Sequence, residues 1–264
     1  VTLVLSGLLH FGIQKVFIYY NKFDDFKDRS SHKTLATRTG GIGIFITLFV
    51  ISLYFYFVKS EIYDFSLLIS LGLLFFVGVY DDIYDANFKL KFFIQIIVAK
   101  MLIDQGFVIM DFHGFLGINK VSWIVAQLTT ILVFLILVNA INFIDGVDGL
   151  ANTEVVKTIV IIEVLSRTPT PFFYLGIIVV LSIIPLYYFN FRKSKKIFLG
   201  DCGSLILGFA AIWILILYTQ PPVSLLSPIA ALWIVALPVL DAVVVVLRRL
   251  SLGRSPFSPG GPMV

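Results

Sequence analysis

Long apolar stretches separated by short polar segments run along the whole chain of 264 residues. An apolar run of about 17 to 25 residues is long enough to cross the hydrocarbon layer of a membrane as a helix. The pattern predicts nine such spans, at residues 1–20, 42–58, 65–80, 92–110, 121–141, 150–166, 171–189, 199–218 and 224–247. We therefore expect an all-α fold, a polytopic membrane bundle of about nine transmembrane helices.

The amino-acid composition also indicates a membrane protein. Hydrophobic residues make up 59% of the chain and charged residues only 14%. A water-soluble fold of this length has no core large enough to bury so many apolar side chains. Cys202 is the single cysteine, so the chain forms no internal disulfide.

The positive charges are distributed unevenly between the two ends of the predicted spans. Fourteen of the twenty Lys and Arg residues follow odd-numbered spans. Since basic loops are retained on the cytoplasmic side of a membrane, we expect these loops in the cytoplasm and the N-terminus outside. The charges lie close to span ends and no soluble domain presents them, so we expect no nucleic-acid partner.

Five polar segments fall on this predicted cytoplasmic side. They are RSSHKTLATRTGGIGIF, VGVYDDIYD, NAINFIDGVDGLA, FNFRKSKKIFLGDCGS and DAVVVVLRRLSLGRSPF, at residues 29–45, 77–85, 139–151, 189–204 and 241–257. The convergence of five polar loops on one face predicts a single active site there.

These segments contain five aspartates at or just inside the membrane boundary, namely Asp81, Asp82, Asp145, Asp148 and Asp201. A single aspartate there is equally well explained as a helix cap or part of a solvated turn. Five on one face favour a function, because each charged side chain costs about 2.5 to 3.5 kcal/mol at the membrane midplane. Carboxylate oxygens with an amide are the hard ligands that Mg²⁺ prefers.

Two further groups of residues accompany the aspartates. Asn139 and Asn142 are three residues apart, so they lie on one helical stripe that leads toward Asp145. The segment GDCGS precedes an apolar helix, where backbone N–H groups can approach an anion, and it is therefore a candidate phosphate site. The glycines of RTGGIGIF allow the same interpretation, although close helix packing is favoured for them.

Taken in order, RSSH…RTGGIGIF, DDIYD, NAINFIDGVDGLA and FLGDCGS resemble the polyprenyl-phosphate N-acetylhexosamine-1-phosphate transferases of glycosyltransferase family 4. This membrane family includes phospho-MurNAc-pentapeptide translocase, and the resemblance covers about residues 20–257. It implies transfer of a sugar 1-phosphate from a UDP-N-acetylhexosamine to undecaprenyl phosphate, with release of UMP. It also implies Mg²⁺ as cofactor, with Mn²⁺ as an alternative, and a multi-pass protein of the inner (cytoplasmic) membrane that initiates cell-envelope polysaccharide synthesis.

The resemblance also implies roles for particular residues. Asp201 and Asn142 would hold the metal, and Asp81 would deprotonate or orient the lipid phosphate. The other residues carried over are the catalytic-site residues Asp82, Asp145 and Asp148 and the substrate-binding residues Lys33, Asn139, Asn190 and Phe198. Among the latter, Phe198 would stack on uracil, Asn190 would contact the nucleotide, and Lys33 would lie near a substrate phosphate.

The C-terminal end departs from the family pattern. The chain ends in SPFSPGGPMV and has no His after His113, whereas the family carries a His-rich segment shortly after its GRSPF region. We expect residues 1–264 to form a single transmembrane transferase domain that lacks this His-bearing segment and the last one or two spans. A truncated and catalytically impaired family member is therefore a second interpretation.

Two interpretations outside this family are weaker. DDIYD also matches the DDxxD motif of membrane prenyltransferases, which bind an isoprenyl diphosphate through Mg²⁺, but that leaves GDCGS and RTGGIGI unexplained. A transporter would have internal repeats and carboxylates at mid-span, and the sequence has neither. The sequence is compatible with an oligomer and does not specify the amino sugar.

Overall fold

The computed structural model describes residues 1–20, 36–58, 65–166 and 172–253. In these ranges the helices are α1 (Thr2–Tyr19), α2 (Gly40–Phe57), α3 (Phe65–Tyr84), α4 (Phe88–Asp104), α5 (Trp123–Ile144), α6 (Leu150–Leu165), α7 (Phe173–Asn190), α8 (Gly200–Thr219), α9 (Pro228–Ile234) and α10 (Ala236–Ser251). The strands are β1 (Ala36–Thr37), β2 (Asp111–Phe115), β3 (Ile118–Lys120) and β4 (Lys196–Ile197). β1 and β4 pair in parallel, whereas β2 and β3 form an antiparallel hairpin.

The predicted all-α membrane fold is confirmed, but the number of nine spans is not. Each predicted span overlaps a helix, and the ninth is divided into α9 and α10, which are bent by 73°. By length and apolar composition, six helices of the described residues are able to cross a membrane, or seven if the bent pair is one span. α4 and α6, with 17 and 16 residues, are not among the six.

The contacts of α4 show that it runs between the two ends of the bundle. Near its start, Lys91 bonds Asp81 at the end of α3. Beyond its end, the backbone N–H groups of Met110 and Asp111 donate to Gln220, which follows α8. At 1.5 Å per residue α4 is about 25 Å long, so α5 starts at the side of the bundle opposite to the C-terminal end of α3. The C-terminal end of α5 therefore lies at the same side as the C-terminal end of α3.

α6 connects the same two ends in the same direction. Thr153 in its first turn is hydrogen-bonded to Tyr187 near the end of α7, and Glu163 near its end accepts a hydrogen bond from Tyr218 of α8. The C-terminal ends of α3, α5 and α7 and the start of α8 therefore share one side. This side carries the polar segments, as the sequence predicts, and the orientation of the bundle in the membrane stays a prediction.

α8 is the central helix, and its apolar window is entirely buried by its neighbours. Glycines bring the surrounding backbones close to its first turn. A Cβ on Gly41 would lie 2.2 Å from the backbone nitrogen of Gly203, and a Cβ on Gly78 would lie 2.3 Å from the Cα of Cys202. The glycine of RTGG thus packs helices, as favoured from the sequence.

α1 has its polar residues inside the bundle. Its buried residues are Thr2, Ser6, His10 and Gln14, four residues apart, whereas exposed Leu and Val side chains cover the opposite face. The Ser6 hydroxyl donates to the Ser182 carbonyl at 2.7 Å. This reversed amphipathicity is what a helix requires when its outer face contacts lipid.

Candidate active site

The N-terminus of α8 is capped by a side chain from another helix. Asp82, near the end of α3, accepts hydrogen bonds from the backbone N–H groups of Asp201 at 2.9 Å and Cys202 at 3.1 Å. Gly200 permits this approach, because its φ is +78° and a Cβ there would lie 2.9 Å from an Asp82 oxygen. These two N–H groups of GDCGS therefore bind the Asp82 carboxylate, not a substrate phosphate as the sequence suggested.

Asn142 joins the end of α5 to the start of α8. Its side-chain nitrogen donates to the Asp201 carboxylate at 2.5 Å and to the Ser204 hydroxyl at 2.7 Å. Asp201 and Asn142, the two predicted metal ligands, are thus in direct contact. This contact brings together two of the sequence segments that were expected to share a site.

Asp201 lies at the centre of an acidic cluster. It is close enough to Asp81, Asp82 and Asp145 for its charge to act on all three. Burial raises the pKa of the Asp145 carboxyl well above its usual range, and the charges of Asp201 and Asp82 raise it further, while Arg38 acts in the opposite direction. The site therefore carries excess negative charge, which favours a bound cation.

Asp81 is buried and has partners on both sides. One of its oxygens accepts from the Ala86 backbone N–H at 2.8 Å, and the other accepts from the Lys91 ammonium at 2.5 Å. The first bond closes the turn after α3, and the second bond holds α4 beside it. Asp81 therefore faces both Asp201 and a lysine, an arrangement that suits a group that orients a phosphate.

Asp148 forms an ion pair with Lys196 of β4. This pair ties the loop after α5 to the segment that leads into α8. The loop turns at Gly149, whose φ is +73° and where a Cβ would lie 2.6 Å from the ring of Phe191. Phe191 in turn stacks on Tyr187 at 5.9 Å between ring centroids. Asp148 thus lies at the edge of the site, engaged by a cation rather than by Asp201.

The pairing of β1 with β4 holds Phe198 and Asn190 beside the RTGG turn. Phe198 accepts a backbone hydrogen bond from Gly40 and donates one to Thr37, both at 2.9 Å. The Asn190 side-chain nitrogen donates to the Ile197 carbonyl at 2.9 Å, and its side-chain oxygen is buried with no hydrogen-bond partner among the described residues. A buried acceptor of this kind is the sort of group that a ligand donor would satisfy.

The predicted substrate-binding residue Asn139 is not brought to Asp201. Asn139 exchanges hydrogen bonds with Gln95 of α4, the shorter at 2.7 Å, and also donates to the Leu135 carbonyl. Its amide therefore joins α4 to α5, one turn away from Asn142. Lys33 lies outside the described residues.

A divalent cation fits the chemistry of this cluster. No group of three or more His, Cys, Asp or Glu side chains in the described ranges is arranged to hold a metal. Mg²⁺, however, needs only one or two carboxylates, with water and substrate phosphates as further ligands. Asp201 and Asn142 could supply two oxygen ligands if the amide turned its oxygen toward the ion, because Asn142 presents its nitrogen to Asp201.

Three residues of the site were not singled out from the sequence. Lys91 and Lys196 bind the Asp81 and Asp148 carboxylates, and Arg38 lies 3.8 Å from Asp82. The quoted RTGG and KSKK segments contain Arg38 and Lys196, but nothing in their spacing assigns a carboxylate to either cation. Those pairings depend on contacts between helices distant in sequence.

Comparison with known proteins identifies the family of this chain. Residues 64–219 match the model of glycosyl transferase family 4. The undecaprenyl-phosphate alpha-N-acetylglucosaminyl 1-phosphate transferase of Yersinia pestis is 31% identical over 94% of this chain and 70% of its own length. The enzyme of the same name from Escherichia coli K12 is 32% identical over 88% of this chain and 64% of its own length.

A relative from another bacterium gives the same result. The probable undecaprenyl-phosphate N-acetylglucosaminyl 1-phosphate transferase of Bacillus subtilis is 29% identical, over 93% of this chain and 69% of its own length. The match to the family model covers more than half of the chain. This chain is therefore a member of glycosyl transferase family 4, a multi-pass membrane protein of the family that its motifs predict.

Proposed function

We propose that this protein transfers N-acetylhexosamine 1-phosphate from a UDP-N-acetylhexosamine to undecaprenyl phosphate or a similar polyprenyl phosphate, and releases UMP. The observation that carries the proposal is the convergence of Asp81, Asp82, Asn142 and Asp145 on Asp201, at one end of a membrane bundle. The similar bacterial proteins are named for transfer to undecaprenyl phosphate.

The proposed reaction needs charge neutralisation and alignment more than covalent help. A phosphate oxygen of the lipid attacks the phosphorus that carries the sugar. The bond from that phosphorus to the bridging oxygen breaks, and the electron pair leaves on UMP. Phosphoryl transfer of this kind is catalysed chiefly by positioning and electrostatic stabilisation, which a cluster of carboxylates, cations and a metal can supply.

Asp201 and Asn142 would hold Mg²⁺, or Mn²⁺ in its place, and the bound ion would neutralise charge on the donor diphosphate. The excess negative charge around Asp201 supports this role, since it favours a cation over an empty cluster. Asp82 keeps Asp201 oriented by capping α8, and Asp145 adds a further carboxylate.

Asp81 would orient the lipid phosphate or accept its proton, with Lys91 beside it as the cation. Asp81 lies near the end of α3 and Lys91 near the start of α4, at the polar end of the bundle, where the phosphate of a lipid would lie. An apolar cavity of about 240 Å³ borders α5 from Thr129 to Leu137. The end of the cavity at Leu137 lies about 8 Å along α5 from Asn142. A lipid tail that leads away from the site could cover this distance.

The donor nucleotide would contact the β1–β4 region. Phe198 would supply a ring for stacking on uracil. Asn190 supplies a buried oxygen that no group in the described part of the chain satisfies, and an N–H of the base could donate to it. Substrate contact by Lys33 and Asn139 stays a prediction. A catalytic role of the ion-paired Asp148 stays a prediction too. With the site on the cytoplasmic face of the inner membrane, the product would start a cell-envelope polysaccharide such as an O-antigen.

The experiment is a UMP-release assay with the whole chain in lipid vesicles that contain undecaprenyl phosphate. A panel of UDP-N-acetylhexosamines is supplied with Mg²⁺, and matched samples lack the lipid phosphate or contain EDTA. We expect release that needs both the lipid phosphate and the metal. Turnover of an isoprenyl diphosphate without any UDP-sugar would contradict the proposal and favour a prenyltransferase, whereas UDP-sugar binding without release would identify an impaired family member.

A further inference from the structure

Arg38 projects from a turn whose backbone is fixed on both sides. Before it, β1 pairs with β4, and Thr37 accepts a hydrogen bond from the Phe198 N–H at 2.9 Å. After it, the hydroxyl of Thr39 bonds that of Thr37 at 3.0 Å, and the Gly40 N–H donates to the Phe198 carbonyl. The position of the Arg38 backbone is therefore set by the fold. This residue lies outside the range 64–219 that matches the family model.

The Arg38 guanidinium faces the acidic cluster. Its Nη1 atom lies 3.8 Å from the Asp82 carboxylate, and its charge also lowers the pKa of Asp145. Asp82 and Asp145 both interact with Asp201, so Arg38 lies on the side of the cluster where the predicted metal ligand is. The side chain is 34% exposed, and a substrate entering the cluster can reach it.

The contact of Arg38 with Asp82 is longer than the other two ion pairs at this end of the bundle, which are hydrogen-bonded. Lys91 is hydrogen-bonded to Asp81 at 2.5 Å, and Lys196 is hydrogen-bonded to Asp148. The 3.8 Å contact is too long for a hydrogen bond and acts through charge alone. Both Asp82 oxygens already accept backbone N–H groups of α8, so the cap on α8 is complete without Arg38.

We propose that Arg38 is a catalytic residue that binds phosphate oxygens of the donor diphosphate during the transfer. The inference rests on the proposed function and adds a residue to it. A guanidinium presents planar pairs of N–H donors that match two phosphate oxygens at once. As the bridging P–O bond breaks and its electron pair remains on UMP, Arg38 offsets the charge on those oxygens, and it neither gives nor takes a proton.

The test compares Arg38→Met, which removes the charge, with Arg38→Lys, which keeps the charge but loses the planar fork. The UMP-release assay is run with UDP-N-acetylglucosamine and undecaprenyl phosphate. We expect Arg38→Met to lower kcat/KM by about 10²- to 10³-fold and Arg38→Lys to recover only part of the loss. The control is Lys193→Met, which removes the same charge from an exposed position of the basic loop and should change kcat/KM by less than about twofold.

Binding of UMP, measured without turnover, gives a second readout. We expect Arg38→Met to weaken UMP binding about tenfold or more, the range of a charge-assisted contact, while its unfolding temperature stays close to the wild type. Wild-type turnover together with wild-type UMP affinity in Arg38→Met would overturn the role of Arg38. No UMP release by the wild-type protein would instead contradict the proposed function itself.

A double-mutant cycle with Asp82→Asn separates substrate binding from simple neutralisation of Asp82. If Arg38 binds phosphate, Arg38→Met should remain deleterious in the Asp82→Asn background, and the two losses should nearly add. If Arg38 only balances the Asp82 charge, the double variant should recover activity relative to Arg38→Met. That recovery would overturn the proposal.

Discussion

Asn142 and Asp201 are 59 residues apart in the chain, and the Asn142 amide donates a 2.5 Å hydrogen bond to the Asp201 carboxylate. The contact connects the end of α5 with the first turn of α8. The Ser204 hydroxyl accepts a second hydrogen bond from the same amide nitrogen. Both N–H groups of the Asn142 side chain are therefore engaged. Because three other aspartates surround this pair, the charge on Asp201 is the feature on which the proposed metal site depends.

Replacement of Asp201 by Asn tests that dependence. The variant keeps the size of the side chain and an oxygen that can accept from Asn142, but it loses the charge that would hold a cation. We expect UMP release to fall by about 10²-fold or more, with an unfolding temperature close to that of the wild type. Metal binding, followed as the shift in unfolding temperature on addition of Mg²⁺, should be lost as well.

Asp104→Asn is a suitable control for Asp201→Asn. Asp104 is exposed and pairs with Lys100 one turn earlier, near the opposite end of α4 from Lys91. Exposed pairs contribute about 0 to 1 kcal/mol, so both activity and stability should stay close to the wild type. Wild-type turnover by Asp201→Asn would contradict its assignment as a metal ligand.

Gly200→Ala tests the cap that Asp82 provides to α8. The φ of +78° at Gly200 is unfavourable for Ala, and the added Cβ would lie 2.9 Å from the Asp82 carboxylate. We expect a loss of about 1 to 3 kcal/mol in the free energy of unfolding and a fall in activity, because Asp201 would shift with the helix start. Thermal unfolding and UMP release measure the two effects.

Gly12→Ala is the matched control for Gly200→Ala. Gly12 lies within α1, and a Cβ there would meet no atom within 4 Å. Ala is the better helix former by about 1 kcal/mol, so this variant should be as stable as the wild type or slightly more so. If Gly200→Ala behaved in the same way, the contact between Asp82 and the start of α8 would not exist as described.

The helices and the acidic end of the bundle were predictable because both depend on local sequence. Apolar runs specify membrane helices whatever their neighbours, and aspartates at the ends of those runs mark the polar boundary. The break in the ninth span was missed although its signal is present. Pro238 cannot donate to the carbonyl of Ile234, four residues earlier, and the bend between α9 and α10 falls between these two residues.

The partners of the individual side chains were not predictable, since they depend on how distant helices pack. Residues three apart differ by about 60° around a helix, and this rotation is enough to turn Asn139 toward Gln95 while Asn142 faces Asp201. In the same way, Asp81 faces Lys91 and Asp82 faces α8, although they are adjacent in the chain. Spacing alone identifies the cluster but not the role of each member.

The contact between Asn139 and Gln95 gives a test of one such role. Gln95→Leu leaves the Asn139 oxygen without its donor, so we expect a loss of about 1 to 3 kcal/mol in the free energy of unfolding. The double variant with Asn139→Leu removes both polar groups and should recover much of this stability. If Asn139 only joins the helices, UMP release by the double variant should remain close to that of the wild type.

A different result would restore the prediction that Asn139 binds substrate. In that case the double variant would be stable, as shown by thermal unfolding, but would have a strongly raised KM for the UDP-sugar. Thr130→Val serves as a control within the same helix, because Thr130 is buried and its hydroxyl accepts from the Ile109 N–H far from the acidic cluster. Its replacement should lower stability without changing KM.

The raised pKa of Asp145 leads to a prediction about stability and pH. In the folded protein this carboxyl keeps its proton to a higher pH than in the unfolded chain, where the usual value is 3.8. Between the two values the folded state binds more protons, so stability falls as pH rises through this window, and the penalty persists above it. At pH 7, well above the usual value of 3.8, Asp145 therefore lowers the stability of the fold in the absence of a cation.

Asp145→Asn should remove this penalty. In EDTA at pH 7 we expect a higher unfolding temperature for the variant than for the wild type. The difference should shrink as the pH is lowered and should vanish below 3.8, where the wild-type carboxyl becomes protonated in both states. Mg²⁺ bound at Asp201 would offset the same repulsion, so its addition should stabilise the wild type more than the variant. A variant less stable than the wild type at pH 7 in EDTA would show that Asp145 is held by favourable contacts, and that the acidic cluster does not need a cation to relieve it.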